Sequence, residues 1–207
     1  MEVNSSFYRA HAETTYARWC DSTPDDFRFS VKMPRTITHE LKLRNVREPL
    51  ATFLSQTDGL AFKRGPILVQ LPPSLAFDPP AAEPFLELVR GMYNGLLVCE
   101  PRHPTWFARD VGTLLTRYRI ARAVADPAPA PEATIPGGWP GLVYIRLHGS
   151  PRMYWSRYET TDIRRTAAAL RSVRDADEAW CVFDNTALGA AIDNARELNE
   201  WLFVDTG

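Results

Sequence analysis

The chain reads as an α/β protein, a parallel (β/α) barrel of the TIM class. Three observations point there: strand-like and helix-like segments alternate from end to end, no glycine-rich phosphate loop follows an early strand, and charged residues collect where strands end. Its 207 residues and 45% hydrophobic content suit one domain over 1–207. Barrels of roughly 200–250 residues are ordinary single domains.

Seven β-rich runs set the rhythm: 2–8, 27–33, 66–71, 96–101, 121–126, 143–149 and 180–185. Helical periodicity separates most of them. It is plainest over 160–174, where Ile163, Ala167, Leu170 and Val173 recur at helical spacing, Arg164, Arg165 and Arg171 take other faces, and Thr160 or Thr161 can cap. The pattern repeats over 188–202 through Leu188, Ile192, Ala195 and Leu202, and 48–60, 82–93 and 105–118 are further helical candidates. Such alternation implies parallel strands joined by crossover helices. A doubly wound open sheet is the alternative, but neither GxGxxG nor GxxxxGK[ST] is present. The stretch 126–140, rich in Pro, Ala and Gly, is expected to be a long loop standing in for one outer helix.

A net charge of −1 and a pI near 6.4 give no bulk electrostatic case for nucleic acid or an anionic membrane, though a local basic pocket stays open. No apolar run reaches the ~18–20 residues of a membrane span. The opening Met1-Glu2-Val3-Asn4-Ser5 has no signal-peptide pattern. Cys20, Cys99 and Cys181 are odd in number and far apart, so reduced structural thiols in a cytoplasmic protein are expected.

Alternate side chains of a barrel strand point inward. Arg146 and His148 share a parity, as do Ser30 and Lys32, Glu100 and Arg102, and Glu2 and Asn4, while Asp126 and Asp184 end their strands. Outward positions pack on helices, so these charges should face the C-terminal mouth, where active sites of such barrels are built.

Arg146 beside His148 is the strongest pair: an anion clamp next to a general acid or base, or an inward arginine tied to Glu100 as scaffold. In Glu100-Pro101-Arg102-His103-Pro104 the prolines rigidify the strand exit and fix where Arg102 and His103 point. The other reading there is a kinked loop whose arginine binds backbone carbonyls. Lys32 is either an anion ligand or a snorkelled surface lysine. His39 is either a ligand contact or a cap before Glu40, and His11 is expected to be exposed. Tyr154 and Trp155 line or lid a pocket, whereas Trp106 and Phe107 read as core. Glu2, Glu100, Asp126 and Asp184 with His39, His103 and His148 could ligate a metal. No HxH, HExxH or CxxC spacing occurs, however, and Lys32, Arg102 and Arg146 would repel a cation, so no metal or cofactor is assigned. No Gly-x-Ser-x-Gly elbow is present.

Several segments also carry a family pattern. They are Glu2-Val3-Asn4-Ser5-Ser6-Phe7-Tyr8, Phe29-Ser30-Val31-Lys32-Met33-Pro34 with Ile37-Thr38-His39, Val69-Gln70-Leu71-Pro72-Pro73, Glu100-Pro101-Arg102-His103, Tyr144-Ile145-Arg146-Leu147-His148-Gly149 and Phe183-Asp184-Asn185. In this order they resemble the YecE-like family (domain of unknown function 72) over nearly the whole chain. The resemblance implies a TIM-barrel-like fold and no particular reaction, and it singles out Asn4, Gln70 and Glu2 beside the residues above. There are two departures. The family usually opens with a G-[TC]-S-G-W strand and a helix before the E-x-N-S strand, whereas here Met1 directly precedes the latter. Asp184 stands where asparagine is common. An incomplete, seven-strand barrel is therefore expected, either tightened or paired as a homodimer across exposed strand edges.

The function expected from these readings is acid–base catalysis on a small anionic substrate, a phosphate or carboxylate. His148, Glu100 and His103 would be catalytic, and Arg146, Arg102, Lys32, Asn4, Gln70, His39 and Tyr154 would bind substrate. The alternatives are a metal-assisted hydrolase or isomerase, or a non-catalytic module that binds an anion or nucleic acid.

Overall fold

The computed structural model describes residues 1–173 and 176–203. Strands and helices alternate as β1 (Glu2–Val3), α1 (Glu13–Asp21), β2 (Phe29–Lys32), α2 (Arg47–Thr57), β3 (Arg64–Gln70), α3 (Pro79–Met92), β4 (Leu97–Glu100), α4 (Arg109–Arg117), β5 (Ile120–Arg122), β6 (Val124–Asp126), β7 (Gly137–Gly138), β8 (Leu142–Leu147), α5 (Thr160–Ser172), β9 (Glu178–Phe183) and α6 (Ala190–Phe203). One sheet runs β1-β2-β3-β4-β5, all parallel, with β7 antiparallel on β5; a second runs β6-β8-β9, also parallel. The fold is thus a mostly parallel sheet with helices, and among the described residues no ladder joins β1 to β9.

The expected 121–126 strand divides at Ala123. Its first half pairs with β4 and its second with β8, so one continuous segment carries the chain from one sheet into the other. Period-two alternation sorts the side chains. Val31, Ile67, Val69, Leu97 and Ile120 join Leu50, Phe53, Phe85, Val89 and Leu115 in one core between strands and helices. Val143, Ile145 and Leu147 pack with Ile163, Ala167 and Leu198 in a second. The opposite parity forms a third cluster of Leu68, Val98, Ala121, Ala123, Leu142 and Tyr144 on the inner face. Burying each large aliphatic chain contributes about 1.5–3 kcal/mol, and the three alanine- and valine-sized inner residues leave room for Tyr144.

Other expectations are corrected. The 2–8 run is a strand only over Glu2–Val3 and then turns into a short 3-10 segment, Ser5–Phe7. Helix α1 was not anticipated, because only Tyr16 and Cys20 of its residues are buried and so little apolar periodicity shows. His11 is buried rather than exposed: its Nε2 lies 2.8 Å from Ser5 Oγ, and its ring packs on Tyr16 and Trp19. The 105–118 helix is a 3-10 turn (Pro104–Phe107) followed by α4. Arg174, the end of the expected 160–174 helix, lies outside the described residues.

The 126–140 stretch holds no α-helix, only a 3-10 turn (Pro131–Thr134) and β7. A cavity of about 670 Å³ opens beside it, between the outer faces of β6 and β8 and helix α5, lined by Ile135, Ile145, Leu147, Tyr158 and Leu170.

The inner faces of the two sheets meet through Gly65 of β3 and Trp180 of β9. A Cβ at Gly65 would lie 2.6 Å from Trp180 Cζ2 and 3.2 Å from the Phe29 carbonyl. Gly65→Ala is expected to destabilise by about 1–3 kcal/mol through overpacking, read as a lower urea midpoint; an unchanged midpoint would show that Trp180 does not seal this contact.

Candidate functional site

The polar residues of the inner face converge where the strands end. Glu100, Lys32 and Gln70 are the last residues of β4, β2 and β3, while Asn4, His148 and Asp184 each follow the last residue of β1, β8 and β9. At the centre is Arg146 of β8, fully buried. Its Nε and Nη2 donate to Glu2 Oε2 and Oε1 (3.0 and 2.6 Å) as a bidentate fork, and Nη2 also reaches Asp184 Oδ2 (3.2 Å). Its Nη1 donates to Glu100 Oε2 (2.6 Å) and faces His148 Nε2 (3.3 Å). These contacts engage every N–H a guanidinium carries. Of the two arrangements considered from sequence, Arg146 has the ion pair with Glu100, extended to two further carboxylates.

Glu100 in turn accepts from Gln70 Nε2 at its Oε1 (3.2 Å) and pairs with the Arg102 guanidinium. Burial would raise its pKa, but Arg146, His148 and Arg102 outweigh burial and hold the carboxyl well below the usual carboxylate range. For Arg146, burial opposes the charge while Glu100, Glu2 and Asp184 favour it, and its pKa moves up. The Tyr144 hydroxyl donates to Glu2 Oε2 (2.8 Å), and its oxygen lies 2.7 Å from Ser30 Oγ. Tyr144 and Ser30 were not singled out from sequence, although they share the parity of Arg146 and Lys32.

His148 is buried with Nδ1 3.1 Å from Asp184 Oδ2. Its Nε2 faces Arg102 Nη2 at 2.8 Å and Glu100 Oε1 at 3.5 Å. Two guanidinium donors at Nε2 make that nitrogen the acceptor, so the ring proton sits on Nδ1 toward Asp184. Burial lowers the imidazole pKa, but Asp184 at Nδ1 and the Glu100 carboxylate, which Nε2 can meet only once the ring is protonated, outweigh it and the net direction is up. Asp184, the departure from the family pattern, therefore supplies a charged acceptor to both Arg146 and His148.

Lys32 is 8% exposed. Its Nζ lies 4.2 Å over the Phe7 ring and has no hydrogen-bond or ion-pair partner among the described residues. Burial and Arg146 depress it more than Glu100, Glu2 and Asp184 raise it, leaving the amine at about 8. His39 packs edge-on against the same Phe7 ring (4.8 Å), with burial and Lys32 lowering its pKa. Asn4 Oδ1 and Arg102 Nε are buried with no hydrogen-bond partner. Tyr154 is 47% exposed, stands edge-on to His148 at 6.0 Å, and has a strained φ of +68°. Trp155 is also exposed beside it.

His103 is not drawn into the cluster. Its Nδ1 accepts from Thr105 N (3.3 Å) and caps the Pro104–Phe107 turn. Asp126 is likewise apart, accepting from Tyr158 Oη (2.5 Å). Arg146 occupies the space among the three carboxylates, and among the described residues no group of three or more His, Cys, Asp or Glu is arranged to hold a metal ion.

Removing one member of a buried ion network strands the others. Arg146→Ala is expected to cost about 3–5 kcal/mol in urea unfolding, and a loss below 1 kcal/mol would refute its central role. In the native protein the Glu100 contribution is fully present above about pH 4.3 and is lost as pH falls, so acid sensitivity should flatten in Arg146→Ala. Lys32 acts with the opposite sign. Its folded pKa of about 8 lies below the ordinary 10.5, so it destabilises at neutral pH and the penalty fades as pH rises between those values. Lys32→Met should therefore stabilise by up to about 3 kcal/mol at pH 7, with the gain vanishing toward pH 10.5; no gain at pH 7 would contradict the buried, unpaired amine.

A model of the family described as "Protein of unknown function DUF72" matches residues 1–206. In sequence the chain is similar to the UPF0759 protein YecE of Escherichia coli strain K12, 36% identical over 141 residues, or 64% of this chain and 50% of YecE. It is also similar to YecE of E. coli O157:H7, 36% identical over 112 residues, or 53% of this chain and 40% of that protein. The chain spans half or less of the length of these curated relatives. In structure it resembles a DUF72 family protein of Thermotoga maritima (TM-score 0.81, 25% identity) over 97% of this chain and 83% of that one. A DUF72 family protein of Enterococcus faecalis is similar in fold (TM-score 0.83, 21% identity), again over 97% and 83% of the two chains. Matched along almost its whole length, the chain belongs to the DUF72 family.

Proposed function

We propose that the strand array is an incomplete (β/α) barrel of the TIM class, and that its C-terminal mouth binds a small carboxylate or phosphate and acts on it by acid–base chemistry. One observation carries this reading: among the described residues Arg102 Nε and Asn4 Oδ1 are buried with no hydrogen-bond partner, although buried polar groups are almost always satisfied, and the mostly buried Lys32 has its Nζ against the Phe7 ring with no ion pair. They surround a network in which Glu2, Glu100 and Asp184 pair with Arg146 and Arg102, so Lys32 Nζ, which takes part in none of these pairs, is suited to a ligand.

In this reading Arg146 positions and does not touch substrate. Lys32 and Arg102 hold the anion, with Asn4, Gln70, His39 and Tyr154 around it. An anion that draws Arg102 toward itself takes a donor away from His148 Nε2, which lies 2.8 Å from Arg102 Nη2. That nitrogen keeps only the longer Arg146 Nη1 contact (3.3 Å) and can more readily accept a proton, and the added negative charge favours the protonated imidazole. His148 becomes the acid–base group, oriented through Nδ1 by Asp184. Glu100 stays ionised and supports the imidazolium.

The test is a thermal-shift series with inorganic phosphate, glycerol 3-phosphate and gluconate. A binder at 100-fold its Kd stabilises by about 2.7 kcal/mol. Stabilisation should disappear in Lys32→Met and persist in His148→Ala. No shift from any anion, or a shift unchanged in Lys32→Met, would overturn the reading.

A further inference from the structure

We infer that Lys32 is a covalent nucleophile, and that the substrate class is a small aldehyde or ketone carrying an acidic group, captured on Nζ as a Schiff base. The inference rests on the reading above that the mouth binds substrate, and it names what kind.

The surroundings of Lys32 distinguish it from an ordinary anion ligand. The carboxylates near it are committed to Arg146, Arg102 and His148, so no counter-charge is fixed on the amine. Phe7 covers it from one side, and the backbone carbonyl of Lys32 accepts from Ser6 Oγ at 2.7 Å, anchoring the strand end. The Phe7 face by itself favours the ammonium, but burial and the nearby Arg146 charge work against it, and a lysine desolvated beside a second cation loses its proton readily and is then nucleophilic. Arginine would serve a purely electrostatic role better, because it stays charged.

The chain has three lysines, and the other two lack this setting. Lys63 Nζ is held by the carbonyls of Cys20 (2.6 Å) and Thr23 (2.7 Å), and Lys42 is exposed.

In the step, the neutral amine adds to the carbonyl carbon and the C=O π pair moves to oxygen. That oxygen gains a proton while nitrogen loses one, giving a carbinolamine. The nitrogen lone pair then forms C=N as the oxygen, protonated again, leaves as water. Amine plus carbonyl gives imine plus one water, with no change in oxidation state. His148 is the acid available at the mouth for the departing oxygen, and Arg102 is the cation available for the acidic group. The protonated imine withdraws electrons from the adjacent carbon, which makes proton removal there the natural next reaction.

The experiment is borohydride trapping on the full chain. Protein is incubated separately with pyruvate, glyoxylate and glyceraldehyde 3-phosphate, reduced with sodium borohydride, and read by intact mass and peptide mapping. The expected result is one adduct, mapped to Lys32 on the native protein and absent from Lys32→Arg. Lys32→Arg retains the charge, so it should keep the anion-induced thermal shift while losing the adduct. An anion shift on native protein with no adduct from any of the three carbonyls overturns the covalent step and leaves the binding reading standing. Adducts distributed over Lys42, Lys63 and the terminal amine overturn it as well. Failure of the binding reading is separate, being the absence of any anion shift.

Discussion

The guanidinium of Arg146 joins four strands whose backbones do not all meet. It reaches Glu2 on β1, Glu100 on β4 and Asp184 after β9 from its own place on β8. Among the described residues β1 and β9 share no ladder, and Arg146 links Glu2 of the one sheet to Asp184 of the other through side chains instead of amides. Buried ion pairs are poor contributors to stability when compared with apolar packing, because desolvation offsets their attraction. What they impose is geometry: a fork on Glu2 and single contacts to Glu100 and Asp184 leave little freedom in how β8 lies against β1. The inner alanines of the β5–β6 segment suit this arrangement, since small chains there give the Tyr144 ring and the arginine stem space to cross the interior.

Much of this was legible in the sequence, for a physical reason. Strand periodicity is two, so parity alone places Lys32, Glu100, Arg146 and His148 on one face, and strand position places them at one end. The seven-run rhythm likewise gives the order β1-β2-β3-β4-β5/β6-β8-β9. Parity does not tell what stands opposite. That Arg146 meets Glu2, a residue 144 positions away, depends on curvature, and the same uncertainty left its role divided between ligand and scaffold. His103 failed to join the cluster because its imidazole caps a turn, a local use that a polar motif does not reveal. Helix α1 stayed hidden because it buries only two side chains, and His11 because its neighbours in sequence are polar while those in space are aromatic.

Lys32 shows how the site and the fold compete. The ion pairs of the network form without it, yet it sits desolvated on Phe7 within reach of the Arg146 charge. Such a placement weakens the folded state, and evolution tolerates it most readily where a reactive or binding group is useful. Asp184 and Tyr154 carry related tension, the first a third carboxylate around one guanidinium and the second a left-handed backbone held beside His148.

The absent outer helix has a mechanical consequence. Between β6 and β8 the chain crosses by a proline-rich loop, and a 670 Å³ cavity takes the place of packed side chains. β9 is half exposed along its length, and α5 buries only Ile163 and Ala167 fully. Local opening draws on the regions with the fewest buried apolar neighbours. The β6-β8-β9 half is therefore the softer of the two, a hinged panel against a stiffer frame of β1–β4. Because Arg146, His148 and Asp184 ride on the panel while Glu2, Lys32 and Glu100 belong to the frame, breathing of one against the other would stretch or tighten the charged cluster they share.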